Sequence, residues 1–391
     1  MTRSTLDSLC ELITDGAHKS PKEFPNGIPM MSVKDMTDKS FSYDNCKTIS
    51  TEDAHELIAG GCRPKIGDVL IAKDGSVLKH VFTVKRPADY VLLSSIAIIR
   101  PKKDKLISEY LEYMFKNPQF KSMVLSSFLG GSGVPRIVLR DFKKVIIDVP
   151  PLQEQKVIAE VLSSLDDKIE LLQKQNETLE ALAQTLFRQW FIEEADDVDY
   201  SPLGNLVEII DNRGKTPPWQ QEETEYPLIE VNALGERVVD YTKIRKYVDK
   251  PTFESWFRGH PSKYATLLST VGSIGEFSMY LLERGTIAQN VIALEAQGLS
   301  KFYLYQVMCY LQKEIKEFNI GSVQPSIKVS HLKNYKIPIP KNKQAISHFD
   351  EFSKSICDKM ENNQVQIQTL QHTRDSLLPK LMSGQVRVKL D

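Results

Sequence analysis

The sequence has no excess of charge of either sign. Its 50 Lys+Arg and 51 Asp+Glu leave a formal net charge of −1 over 391 residues. A chain that binds nucleic acid by charge alone carries a clear cationic excess, so charge leaves no such footprint here. Long hydrophobic runs are missing as well. No stretch approaches the roughly 18–20 apolar residues that cross a bilayer. The N-terminal Met1-Thr2-Arg3-Ser4-Thr5-Leu6-Asp7 lacks the apolar core of a signal peptide. The five cysteines (Cys10, Cys46, Cys62, Cys309, Cys357) contain no Cys-x-x-Cys pair. This argues against a disulfide framework or a cysteine zinc site, and fits a reducing cytoplasm with no membrane partner.

Catalytic signatures are equally scarce. The seven histidines lie far apart in sequence. There is no Gly-x-Gly-x-x-Gly, no Walker A loop and no Gly-x-Ser-x-Gly elbow. Gly130-Gly131-Ser132-Gly133 is too short for a phosphate loop and lacks the lysine. Thr216-Pro217-Pro218-Trp219 resembles the Asn/Asp-Pro-Pro-aromatic motif of adenine methyltransferases. Threonine, however, stands where that motif has an amide or acid, and no cofactor-binding glycine turn accompanies it. The expectation is a non-catalytic chain that holds no metal and no cofactor of its own.

What the sequence does contain is a folded composition, 41% apolar and 26% charged, at a length that predicts two or three domains. Charge is spread unevenly. Residues 1–150 carry 22 basic against 18 acidic residues, 151–195 carry 4 against 9, 196–340 carry 16 against 18, and 341–391 carry 8 against 6.

The chain also repeats itself. One seam reads Ile158, Leu162, Leu165, Ile169, Leu172, Asn176, Leu179, Ala183, Leu186, Trp190, with steps of four and three as in an a/d heptad. The positions 191 residues later are Phe349, Ser353, Ile356, Met360, Asn363, Ile367, Leu370, Arg374, Leu377 and Leu381. Pro151 and Pro379 read as start and stop signals. Upstream of each seam, Ile137 to Pro150 matches Ile327 to Pro340, and Gly131 to Arg136 matches Gly321 to Ser326. Val69 to Val77 matches Thr266 to Ile274. Short β-like runs (Asp68 to Ala72, Ser95 to Ile99, Val145 to Ile147) alternate with helical patches (Ser108 to Leu125, Leu299 to Phe318). The predicted fold class is mixed α/β. Two globular domains (1–150 and 196–340) stand in pseudo-twofold repeat, joined and spaced by two long helices (in 151–195 and 341–391) that form an antiparallel coiled coil.

Asn176 and Asn363 interrupt the seams. A polar seam residue typically fixes register at some cost in stability; the alternative is a locally bonded or solvated position. Val157, Val161, Leu171, Leu182 and Phe187 add apolar surface beside the first seam. They read either as packing against the chain's own domains or as a docking face for partner subunits.

This layout resembles the specificity subunits of Type I restriction–modification systems over nearly the whole length. The residues that carry the resemblance are Pro150-Pro151-Leu152-Gln153-Glu154-Gln155, Leu165-Asp166-Asp167-Lys168-Ile169-Glu170 and Leu179 to Gln184 with Phe187. Asn362-Asn363, Thr373-Arg374-Asp375 and Leu377 to Gly384 extend it. Asp15 to Pro21 and Arg213 to Pro217 stand at the two domain starts. The resemblance implies two target-recognition domains that bind a split, asymmetric double-stranded DNA site, one half-site each. It implies docking of two modification subunits, N6-adenine methyltransferases using S-adenosylmethionine, and of restriction subunits that translocate with ATP and Mg. These cofactors are expected on the partners. A two-module protein-interaction scaffold without DNA reading is the alternative, and an enzyme with an unrecognised site a third.

Direct readout needs amide, hydroxyl and guanidinium groups on loops that face a groove. The repeat places candidates equivalently. In the first domain they are His18, Lys19, Ser20, Lys34, Lys73, Ser76, Lys79, His80, Ser132 and Arg136. In the second they are Arg213, Lys215, Thr216, Trp219, Asn232, Ser273, Gln289, Asn290, Ser322, Gln324, Ser326 and Lys328. Lysines suit phosphate; Arg136, Asn290 and Gln324 suit base edges. For each, a solvated loop residue is the plainer alternative. The near-neutral charge predicts weak DNA affinity for the chain alone.

Overall fold

A computed structural model describes residues 2–131, 133–194, 198–214, 216–235, 237–321 and 323–389. The chain divides into two compact units, residues 1–169 with 368–391, and residues 170–367.

In the first unit the strands are β1 (Thr2–Thr5), β2 (Cys10–Asp15), β3 (Ile28–Met31), β4 (Lys47–Ile49), β5 (Val69–Ala72), β6 (Val81–Thr83), β7 (Val91–Leu92), β8 (Ile96–Pro101) and β9 (Ile146–Val149). Helices α1 (Leu6–Leu9), α2 (Thr51–Ala59), α3 (Ser108–Lys116), α4 (Pro118–Phe128) and α5 (Leu139–Lys144) lie between them. The strands form a four-stranded sheet in the order β2-β8-β5-β6, a three-stranded sheet β4-β3-β7 and a pair β1-β9. All pairings are antiparallel except β3 with β7. Strand β5, Val69-Leu70-Ile71-Ala72, is buried on both faces, which explains its continuous apolar run. Against that sheet pack Tyr110, Phe115 and Phe142. The predicted helical patch at Ser108 to Leu125 is two helices. Pro118 removes an amide donor and forces the break, and the Asn117 side chain caps the new start by accepting from Gln119 N at 3.1 Å.

Helix α6 (Leu152–Arg188) follows and ends in a π-helical turn, Gln189–Glu193. The second unit repeats the plan. Its strands are β10 (Val198–Pro202), β11 (Val207–Asp211), β12 (Tyr226–Ile229), β13 (Tyr247–Val248), β14 (Thr266–Ser269), β15 (Phe277–Met279), β16 (Thr286–Ile287), β17 (Val291–Ala296) and β18 (Lys336–Pro340). Its helices are α7 (Lys250–Ser255), α8 (Lys301–Tyr310), α9 (Gln312–Lys316) and α10 (Val329–Asn334), before the terminal α11 (Lys343–Met382). The sheets are ordered β11-β17-β14-β15, β13-β12-β16 and β10-β18. The equivalent pair, β12 with β16, is again parallel. The repeat read from sequence is a repeat of topology, strand for strand.

Both long helices contribute to both units. In the first unit the start of α6 packs on the end of α11: Ile158, Ala159 and Leu162 share a core with Leu378, Leu381 and Met382. Asp166 accepts from Arg374 Nη1 at 2.7 Å. The tail folds back here, with Arg387 Nη1 at 3.0 Å from both Glu154 oxygens. In the second unit the end of α6 packs on the start of α11. Phe187 and Phe191 lie 6.3 and 5.3 Å from the Phe349 ring. Asn363 Nδ2 donates to Asn176 Oδ1 at 2.8 Å. Both pairings run antiparallel, because early residues of one helix meet late residues of the other.

The strict heptad needs correction. The buried stripe of the first helix runs Ile158, Leu162, Asp166, Ile169, Leu172, Asn176, Glu180, Ala183, Phe187, Phe191. Leu165, Leu179, Leu186 and Trp190 are only half-buried. From Ile158 to Phe191 the stripe advances 33 positions in nine steps, about 3.7 per step, close to the 3.6 of a straight helix and longer than the 3.5 that imposes a left-handed supercoil. Leu370 and Leu377 are likewise half-buried, with Leu378 buried instead. Pro379 does not close the second helix. It lies inside it, since a proline in the last turn costs one hydrogen bond and leaves the preceding turns intact.

Candidate nucleic-acid interface

In the first unit three loops converge beside the four-stranded sheet. The loop after β2 carries His18, Lys19 and Ser20, all exposed. The loop between β5 and β6 carries Lys73, Ser76, Lys79 and His80. A third loop ends at Arg136. Backbone bonds fasten the last two: Gly75 N donates to Pro135 O at 2.7 Å and Ile137 N to Lys73 O at 3.0 Å. Lys73 N donates to Ser95 O, and Ser95 Oγ accepts from Val33 N. That bond brings the exposed Lys34 turn to the same cluster.

The side chains differ in what they are free to do. Lys73 is buried, with Nζ 3.3 Å from Asp15 Oδ2 and 3.2 Å from Asp74 Oδ2. Its assignment as a phosphate contact is corrected: reaching a ligand would break buried ion pairs, a costly exchange. His18 Nε2 contacts the other oxygen of Asp15 at 3.1 Å. Lys19 lies 3.8 Å from Glu56 in an exposed pair, and Ser20 Oγ accepts from Lys47 Nζ at 2.7 Å. His80 points aside to Asp38 at 2.9 Å. Ser76, Lys79 and Arg136 are exposed. Ser132 lies outside the described residues.

The second unit builds the same frame. Gly272 N donates to Pro325 O at 3.0 Å, Ile327 N to Thr270 O at 2.8 Å and Thr270 N to Asn290 O at 2.9 Å. Ser273, Gln324 and Lys328 are exposed, and Gln289, Asn290 and Ser326 half-buried. Asn232 spends its amide on Lys243 O at 3.0 Å. Thr216 is exposed, and Trp219 stands 45% exposed with Lys246 Nζ 5.1 Å from its ring centre. Lys215 and Ser322 lie outside the described residues.

Asp211 occupies the place of Asp15 but takes different cations. Arg213 Nε contacts both its oxygens at 2.9 Å, and Nη2 donates at 2.5 Å. Burial alone would raise the Asp211 carboxyl; the Arg213 bonds outweigh it and hold the group below the usual range. Arg258 donates to Asp211 O at 3.0 Å, and with Trp256, 42% exposed, it lines a cleft beside Arg213. Arg258 and Trp256 escaped the sequence reading. Their only signal is a tryptophan two residues before an arginine in a polar stretch.

Of the apolar residues beside the first seam, Leu171 and Leu182 are 59% and 44% exposed. Val157 and Val161 are half-buried, Val161 against the first core. Phe187 is a correction. It is buried among Phe191, Tyr303 and Phe349, so it packs the unit's interior and offers no docking surface. Among the described residues no group of His, Cys, Asp and Glu could hold a metal ion, and no helix is long and apolar enough to cross a membrane.

Comparison with known proteins decides the family. The family model described as Type I restriction modification DNA specificity domain matches twice, over residues 1–181 and 195–369. The chain belongs to this family. Its relatives include the Type I restriction enzyme MjaIX specificity subunit of Methanocaldococcus jannaschii, 27% identical over 94% of this chain and 89% of that one. The MjaVIII specificity subunit of the same organism is 24% identical over 82% and 80%. The solved Type I restriction–modification S subunit from M. genitalium shares the fold, with a TM-score of 0.60 at 18% identity over 97% of this chain and 95% of that one. Each family match spans one repeat of topology and runs on into the long helix that follows it, and the long α6 fits the spacer of such a specificity subunit.

Proposed function

We propose that this chain gives DNA sequence specificity to a Type I restriction–modification complex. It reads a bipartite, asymmetric site, one half-site per repeat. It also docks two modification subunits, N6-adenine methyltransferases that use S-adenosylmethionine, together with restriction subunits that use ATP and Mg. The chain itself performs no chemistry and works in the cytoplasm. The observation that carries this reading is one loop frame built twice with different exposed side chains. Two copies of one scaffold with different reading groups are what an asymmetric site requires, whereas a palindromic site is served by two identical readers.

The helices serve this function as spacer and dock. At about 1.5 Å per residue, the 37 residues of α6 measure roughly 55 Å, enough to accommodate half-sites about one DNA turn, roughly 34 Å, apart. The exposed Leu171 and Leu182 are eleven residues, three turns, apart on one helix face and supply apolar contact for a modification subunit. With a net charge of −1, the chain alone binds DNA weakly and gains affinity in the complex.

The test is selection from a pool of random duplexes by the assembled complex. The expected outcome is two fixed blocks of bases separated by a constant gap. Assembly with recovery of no common sequence would mean a scaffold without DNA reading.

A further inference from the structure

The same backbone frame in both units carries different chemistry at its tip. The Pro135 and Pro325 carbonyls accept from Gly75 and Gly272, which fixes the correspondence of Val134 with Gln324 and of Arg136 with Ser326. Each tip is tightly turned. A Cβ on Gly131 would stand 2.2 Å from Val134 O, and one on Gly321 would stand 1.7 Å from Gln324 O, so neither turn admits a side chain there. The loops are also braced. Gly130 and Arg136 exchange both backbone bonds, and Asn319 Oδ1 accepts from Gly321 N and Ser326 N at 3.0 Å. On these turns stand exposed side chains. Val323 is 98% exposed and Val134 57%. Arg136 and Gln324 are exposed, and neither side chain has a hydrogen-bond or ion-pair partner among the described residues.

A hydrogen-bonded turn that presents an unpartnered planar donor beside an apolar residue matches the edge of a base pair in the major groove. A guanidinium, with donors only, fits the two acceptors of guanine, O6 and N7. A carboxamide, one donor and one acceptor, fits the N7 and N6 of adenine. A valine fits the thymine methyl. Resting on the DNA-reading function above, we propose that these two tips are the base-reading elements. Arg136 specifies a guanine in one half-site and Gln324 an adenine in the other, each with an adjoining thymine against Val134 or Val323. Behind the first tip, the Lys73 carbonyl accepts from Ile137 N at 3.0 Å and holds the base of the loop.

The experiment measures binding of the complex with its modification subunit to a panel of duplexes, each with one base pair of the wild-type site changed. Arg136→Ala is expected to lose discrimination at one guanine of one half-site, by roughly ten- to hundredfold, with every other position unchanged. Gln324→Ala is expected to do the same at one adenine of the other half-site. Arg136→Gln is expected to move preference at the first position from guanine towards adenine. Uniform weakening over the panel would overturn the assignment, since that marks a phosphate contact or a damaged fold. An unchanged profile, or two variants that act on the same half-site, would overturn it equally. If the wild-type complex selects no bipartite site, the function proposed above fails first and the tips fall with it.

Discussion

Two buried carboxylates on α6 respond to pH with opposite sign. Glu180 is buried, with Gln306 Nε2 at 3.1 Å, Gln184 Nε2 at 3.4 Å and Arg237 at 3.9 Å. Burial pushes its carboxyl above the ordinary range, and those partners only partly offset it. The folded state therefore holds this proton more tightly than the unfolded chain. The destabilising effect is absent below the unfolded pKa, about 4.3, and grows as pH rises above it. Glu180→Gln is expected to stabilise the protein at pH 7 by on the order of 1 kcal/mol, with the gain vanishing towards pH 4. For Asp166, burial alone would raise the carboxyl, but bonds from Arg374 and the Tyr113 hydroxyl (2.7 and 2.8 Å) outweigh it and lower the group. Its stabilisation is present above the unfolded pKa, about 3.9, and lost as pH falls through the folded one. Asp166→Asn is expected to destabilise at neutral pH and to be neutral in strong acid. Thermal melts of both variants from strong acid to pH 8 check the two signs. Neither group was legible as a buried charge in the sequence. Asp166 and Glu180 each follow a leucine, and pattern reading gives the interior to Leu165 and Leu179.

At the scale of elements, the same one-residue shift separates Leu186 from Phe187. Phe187→Ala is expected to cost roughly 3–5 kcal/mol, as removal of a buried aromatic does. Leu171→Ala and Leu182→Ala are expected to leave stability within about 0.5 kcal/mol and to weaken co-purification with the modification subunit. Denaturant titration and pull-down of the three variants separate interior from docking face. The helices themselves and the strands at Asp68 to Ala72 and Ser95 to Ile99 were readable, because apolar periodicity acts locally; the patch Ser108 to Leu125 was read as one helix, and its break at Pro118 was missed. The three-stranded sheets were not readable. Strands such as Val91–Leu92 and Thr286–Ile287 are two residues long, too short to carry a period. The exposed valines of the tips were missed for a related reason: an apolar residue in a loop reads as core until its surroundings are known.

At the scale of the whole molecule, the duplication was the most legible feature. Glycine and proline at a nearly constant offset preserve turns even where side chains diverge, and the strand orders of the two units agree throughout. The candidate loops were legible as places in the fold, because glycine and proline mark their turns. What sequence could not supply was which cations are already neutralised, as Lys73 is by Asp15 and Asp74. A spacer function makes a mechanical prediction. Four residues inserted in α6 add about 6 Å and are expected to change the preferred gap between half-sites by up to nearly two base pairs, at about 3.4 Å each. Site selection by the lengthened protein reads the change, and an unchanged gap would contradict the spacer.

The most direct measurement of the central claim is methylation mapping. This chain is co-expressed with its modification subunit in a host free of adenine methylation, and the host genome is then sequenced for N6-methyladenine. One asymmetric motif of two blocks with a fixed gap, methylated throughout, is the expected result. A stable complex that leaves the genome unmethylated, or methylates it without a bipartite motif, would contradict it.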